Sequence, residues 1–243
     1  MLTAVIGGTG LTRLSGLEVK SQESVSNRWG DVSAPLVYGV LKGAEIVFLT
    51  RHGAGYNMPP HCINYRANIQ ALKDAGVGHI IAVNAVGGIS QRMDTGVICI
   101  PDQIIDYSWG RKTTFFEGSE HPVFIDFTHP YDPGLRDALH KAAMQLDIPA
   151  EPGGVYGCTQ GPRLETAAEI RRMEKDGCDI VGMTGMPEAV LAREAGIKYS
   201  VITLAVNRAA GKSDQEITMA AMQSMLQTGM EKICAIISEA LSG

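Results

Sequence analysis

Short apolar runs that stop on glycine or a polar residue, with capped helices between them, constrain this chain more than any other feature. Residues 2–6, 79–83 and 198–206 are such runs, and they end on Gly7-Gly8-Thr9-Gly10, Asn84-Ala85-Val86-Gly87-Gly88 and Asn207. Runs of this length and composition read as buried strands. Residues 97–100, stopped by Pro101, and 154–158 add two more. Residues 35–41 and 45–50 are β-rich and joined by Lys42-Gly43-Ala44, which predicts a hairpin. Asn64 caps a helix expected to reach Ala75, with Gly76 beyond it. Asp132-Pro133 starts another, to about Leu146. Thr166 and Glu169 have the spacing of a capping box, as do Ser213 and Glu216 before the last helix. On that last helix Met222, Leu226, Met230, Ile233, Ile237 and Leu241 recur at the spacing of one buried face. Strands alternating with helices predict an α/β fold: one domain over 1–243, with a mixed, mostly parallel sheet flanked by helices.

The stretch 179–188, D-I-V-G-M-T-G-M-P-E, concentrates the chemistry. Ile180, Val181 and Met183 read as the end of a buried strand. Gly182 permits close approach to the backbone, and Thr184 places a hydroxyl at the strand exit. Gly185 turns the chain, and Pro187 with Glu188 is expected to open a helix, proline at its first position. A strand end beside a helix N-terminus is where open α/β sheets bind ligands, anions among them.

The 243 residues carry a net charge of -5, which argues against nucleic acid or an anionic membrane as partner. No run approaches the ~20 apolar residues of a membrane span. The first residues have neither the basic nor the apolar segment of a signal peptide, so a cytoplasmic location is expected. Cys62, Cys99, Cys158, Cys178 and Cys234 are scattered and never form C-x-x-C, which predicts reduced thiols and no zinc site.

Several strand ends carry polar groups: Thr9 after the glycine turn, Arg51-His52, Asn84-Ala85, Thr184 and Asn207. Brought together, they supply two hydroxyls, one guanidinium, one imidazole and backbone amides, with no carboxylate cluster for a metal. An arginine fork with hydroxyls and amides suits a free tetrahedral anion. The glycine turn is not a dinucleotide fingerprint, since G-x-G-x-x-G fails at Arg13. Residues 109–130 are irregular, polar and aromatic, a length of loop that is usually functional.

In order along the chain, I-G-G-T-G-L at 6–11, R-H-G at 51–53, P-P-H-x-I-N-Y-R-A-N at 59–68, G-P-R-L-E-T at 161–166, V-G-M-T-x-x-P-E at 181–188 and A-V-N at 205–207 resemble the motifs of the trimeric purine nucleoside phosphorylase and methylthioadenosine phosphorylase family. The resemblance implies a twisted mixed β-sheet, partly closed into a barrel and flanked by helices. It implies reversible phosphorolysis: phosphate attacks the anomeric carbon, a purine leaves, and a pentose 1-phosphate forms. No cofactor is implied, inorganic phosphate being the co-substrate, and a homotrimer is. Thr9, Arg51, His52, Asn84, the Ala85 amide and Thr184 match phosphate-binding positions. Met183 matches the residue against the ribose, and Leu164, Val181 and Gly182 match the walls of the base pocket. Asn207, at the purine, and His52, at the phosphate, are the residues to which the resemblance assigns catalysis. Phe124 matches an aromatic that enters the neighbouring subunit's site.

Within that resemblance two ends of the substrate are read differently. Members preferring 6-aminopurines carry aspartate at the positions of Asn207 and Ala209. Asn207 can donate to a 6-oxo group and accept from N7–H, and Glu165 stands where the 6-oxopurine branch places a glutamate accepting from N1–H. At the 5′ end, ordinary 6-oxopurine members place a histidine from the last helix, whereas this chain has none after His140. The matching segment, with Met219, Ala220 and Met222, is apolar and thioether-rich, and suits a methylthio group. The nucleoside that satisfies both ends is 5′-methylthioinosine. A methylthioadenosine phosphorylase and an inosine/guanosine phosphorylase stay open, as do a nucleotide-cofactor oxidoreductase and a non-catalytic nucleoside sensor.

Overall fold

A computed structural model describes residues 1–11, 14–55, 57–118, 121, 123–214 and 216–242, and for Met219 the backbone only. Arg13, Gln215 within the second expected capping box, and the Met219 side chain lie outside the described residues. The elements in chain order are β1 (Leu2–Gly7), β2 (Glu18–Glu23), β3 (Ser26–Asn27), β4 (Gly30–Asp31), β5 (Leu36–Leu41) and β6 (Ala44–Thr50). Then come α1 (Tyr65–Asp74), β7 (Val77–Gly88), β8 (Ile98–Cys99), β9 (Gln103–Asp106), α2 (Pro133–Gln145), β10 (Ala150–Glu151) and β11 (Val155–Cys158). The chain closes with α3 (Ala167–Lys175), β12 (Ile180–Gly182), α4 (Glu188–Glu194), β13 (Lys198–Arg208) and α5 (Met219–Ala240).

Eleven strands form one mixed sheet in the order β10-β8-β13-β7-β1-β6-β5-β2, and β12, β11 and β9 branch from β7. β6, β1, β7 and β13 run parallel at the centre. Both faces of this centre are covered, so its strands are apolar throughout rather than alternating. Ala4, Ile6, Ala82 and Val201 pack with Ile69 and Leu72 of α1 and Leu191 of α4. Val5, Val83, Ile202 and Leu204 pack with Leu139 of α2 and Met230, Ile233 and Ile237 of α5.

Local signals account for most of this. β5 and β6 are an antiparallel hairpin closed by Lys42 and Gly43, both at positive φ, as a tight hairpin turn requires. Asn64, Asp132 and Thr166 cap α1, α2 and α3 through their side chains, Thr166 in a complete capping box with Glu169. Residues 109–118 and 123–130, in the long connection, contain no helix or strand.

Two expectations are corrected. α5 begins at Met219 and is capped by Thr218, whose hydroxyl accepts from the Ala221 amide at 3.3 Å; Ser213 and Glu216 precede the helix. Pro187 stands at the N-cap of α4 after a cis peptide bond, so the helix starts at Glu188. β12 branches from the central sheet. It pairs antiparallel with β7, Val181 opposite Gly87, and parallel with β11. Because β7 is twelve residues long, the strand ending at Gly182 carries residues 183–184 back over the middle of β7 instead of past its end. The exposed edge strand β2 was not foreseen: its six residues are all exposed, so no apolar pattern marks it.

Candidate active site

One cavity of about 460 Å³ collects the strand ends. Its wall includes Thr9, Arg51, His52, Asn84, Ala85 and Thr184, together with Leu164, Glu165, Val181, Gly182, Met183, Asn207, Ala209 and Met222. These residues span the chain from the first glycine turn to the last helix, and only the sheet brings them together. One 5′-side residue expected on this wall, Ala220, is absent from it. Ala220 is exposed in the first turn of α5, and Ile217 with Met222 lines the cavity in its place. Phe124 is 94% exposed and outside the cavity.

Arg51 is wholly buried and fully engaged on one side. Its Nε and Nη2 donate to the two carboxylate oxygens of Glu188 at 2.6 and 2.7 Å, and Nη1 donates to the Val83 carbonyl at 3.1 Å. Burial opposes the guanidinium charge, but the Glu188 carboxylate outweighs it and the pKa is raised. Tyr199 donates to the same carboxylate at 2.9 Å. Gly8 is required here because a Cβ would lie 2.3 Å from the Val83 carbonyl and 2.9 Å from Arg51 Nη1. The glycine turn therefore lets β1 close down on the arginine.

His52 Nδ1 lies 2.9 Å from the Met58 carbonyl, which makes that nitrogen the donor. Burial first, and the adjacent Arg51 charge second, push its pKa down. Asn84 donates through Nδ2 to Thr184 Oγ1 at 3.0 Å and to the Tyr156 phenol at 3.1 Å.

Behind the wall residue Glu165, the Thr159 hydroxyl donates to its carboxylate at 2.6 Å, while the Thr159 amide is tied to the Gly182 carbonyl at 2.8 Å. Glu165 thus points from a fixed support and takes no part in the capping box beside it, which is made by Thr166 and Glu169. Asn207 donates through Nδ2 to the Arg208 carbonyl at 2.7 Å, which leaves Oδ1 as the acceptor. A bulge between Ala205 and Asn207 adds one residue to β13 against β7. Neighbours on a regular strand face opposite ways, and the bulge explains how Val206 and Asn207 both reach the wall.

The family model of the phosphorylase superfamily matches residues 3–242. The chain belongs to the phosphorylase superfamily. A probable S-methyl-5′-thioinosine phosphorylase of Pseudomonas syringae is 50% identical over 240 residues, covering 98% of each chain. A 6-oxopurine nucleoside phosphorylase of Pyrococcus furiosus is 43% identical over 98% of this chain and 91% of that one. Among solved structures, the methylthioadenosine phosphorylase of Schistosoma mansoni in complex with adenine has a TM-score of 0.95 at 29% identity, covering 99% of this chain and 90% of that one. The mixed sheet flanked by helices is therefore the fold of a nucleoside phosphorylase.

Three residues of this phosphorylase site carried no sequence signal. Glu188 read as a helix-opening acid, yet it is 1% exposed and fixes Arg51. Thr159 read as nothing in particular. Arg111, in the long loop, donates to the carbonyls of Thr159, Gln160, Met183 and Met186 and to the Gln160 side chain, joining the two walls that carry Glu165 and Met183. Spacing could not have found Glu188 or Arg111, whose partners lie far away in the chain, whereas Thr159 stands only six residues from Glu165. Among the described residues no group of three His, Cys, Asp or Glu is placed to hold a metal, and no helix is long and apolar enough to cross a membrane.

Proposed function

We propose that this phosphorylase cleaves S-methyl-5′-thioinosine with inorganic phosphate, releasing hypoxanthine and 5-methylthioribose 1-phosphate. The reading rests on one observation: the same cavity is lined by Glu165 and Asn207 and also by the apolar Met222 and Ile217. Glu165, held by Thr159, accepts from N1–H of a 6-oxopurine, a proton that adenine lacks. Asn207 Oδ1 accepts from N7–H as the purine departs. The thioether of Met222 meets a methylthio group, whereas a 5′-hydroxyl buried there unpaired costs on the order of 1–3 kcal/mol.

Phosphate is bound by Thr9, Arg51, His52, Asn84, Ala85 and Thr184. Leu164, Val181, Gly182 and Ala209 pack against the base, and Met183 against the ribose. Catalysis is positioning and electrostatics: the anion stabilises the developing oxocarbenium on one face, and hydrogen bonds stabilise negative charge on the leaving purine. His52 and Asn207 are the catalytic residues, and no protein nucleophile is used. Residues 1–243 act as one phosphorylase domain that needs no cofactor beyond phosphate, in the cytoplasm, as a homotrimer. Phe124, exposed on one chain, is then free to reach a neighbouring copy's site.

Initial rates of free-base release with phosphate from methylthioinosine, methylthioadenosine and inosine test this side by side. Methylthioinosine is expected to lead both others. A lead for methylthioadenosine would remove the Glu165–Asn207 argument, and inosine equalling methylthioinosine would remove the 5′ argument.

A further inference from the structure

We infer that Tyr156 is a positioning residue of the phosphate pocket: its phenol anchors Asn84, which holds Thr184 so that the threonine hydroxyl donates to the anion. This rests on the reading of the cavity as a phosphate site. Tyr156 sits on β11 and is completely buried. Its ring occupies the space beneath the G-M-T-G turn. A Cβ on Gly182 would stand 2.3 Å from the phenol oxygen, and one on Gly185 would stand 3.0 Å from the ring. The two glycines around Met183 and Thr184 therefore serve to seat this tyrosine.

The hydrogen bonds then fix direction. Asn84 Nδ2 donates to both the phenol and Thr184 Oγ1, so one amide group is tied to the tyrosine and to the threonine at once. A hydroxyl oxygen that accepts from an amide keeps its own proton for another acceptor. Held at its oxygen by an Asn84 amide that Tyr156 anchors, the Thr184 hydroxyl, on the cavity wall, is left to donate into the cavity. Burial raises the phenol to about 12, so it stays neutral beside the anion.

Tyr156→Phe removes one oxygen and keeps the ring that the glycines accommodate. The KM for phosphate is expected to rise roughly five- to tenfold, the scale of one lost hydrogen bond, with the nucleoside KM within about twofold of the parent. Thr184→Ala is also expected to raise the phosphate KM, and adding Tyr156→Phe to it should bring no further rise, because the phenol acts through Thr184. Equal increases in both KM values, additive effects in the double variant, or an unchanged phosphate KM in Tyr156→Phe while Thr184→Ala raises it, each overturn the positioning role and leave the phosphate site standing. An unchanged phosphate KM in Thr184→Ala overturns the phosphate reading itself and the inference with it.

Discussion

Glu188 grips Arg51 through two hydrogen bonds of 2.6 and 2.7 Å, 137 residues apart in the chain and with both side chains sealed from water. A pair like this is a poor source of net stability, since two desolvated charges roughly cancel their attraction. Its use is directional. With Nε and Nη2 committed to the carboxylate, the rest of the guanidinium is presented along the cavity wall.

Breaking the pair from one side is therefore costly. Glu188→Gln keeps the shape but leaves a buried cation without its counter-charge, and about 3–5 kcal/mol of stability should be lost. Urea unfolding measures this directly. A loss under 1 kcal/mol, on the order of a surface pair, would mean that water or another group replaces the carboxylate.

Arg111 makes a different prediction because its partners are backbone carbonyls of two separate walls. Arg111→Lys keeps the charge but not the planar fork. We expect kcat/KM for the nucleoside to fall by at least about tenfold, roughly 1.4 kcal/mol of transition-state stabilisation. A lysine variant with parental kinetics would show that charge alone is enough.

The histidines set an acid limit. Burial is the first cause of the lowered pKa at His52, His79 and His140. A group kept neutral in the fold binds its proton more readily once unfolded. Stability is then complete above the unfolded histidine pKa of about 6.5 and declines as pH falls below it. Unfolding free energies between pH 8 and pH 5, on the order of the histidine range, should show this slope, and His52→Gln should make it shallower. An identical slope in that variant would take His52 out of the account.

At the base end, Asn207→Asp combined with Ala209→Asp should move preference toward the 6-amino nucleoside by at least about tenfold, since a carboxylate accepts from an exocyclic amine and offers nothing to a 6-oxo group. The ratio of kcat/KM for methylthioadenosine and methylthioinosine reads it. No change in that ratio would sink the base-pocket argument.

At the 5′ end, Met222 is the position to change, because Ala220 points to solvent. Met222→His gives a 5′-hydroxyl a partner, and inosine should gain on methylthioinosine by about 1–3 kcal/mol of recovered hydrogen bonding. If the two substrates keep their ratio, the methylthio group binds elsewhere.

The layered α/β fold, the capped helices α1, α2 and α3, the β5–β6 hairpin and most of the cavity-lining residues were legible in the amino-acid sequence. They depend on signals between near neighbours: an apolar run, a capping side chain, a glycine that must take positive φ. Even the two glycines of the G-M-T-G turn were marked, Gly182 for a close approach and Gly185 for a turn, though not what they make room for. Tertiary structure alone decided that Tyr156 is what they admit, that Glu188 fixes Arg51 instead of serving its own helix, that Arg111 joins two walls, and that Met222 rather than Ala220 lines the 5′ side. The reason is physical. A hydrogen bond or a desolvated ion pair depends on distance in space, and the branch of the sheet at β7 sets those distances between residues a hundred positions apart.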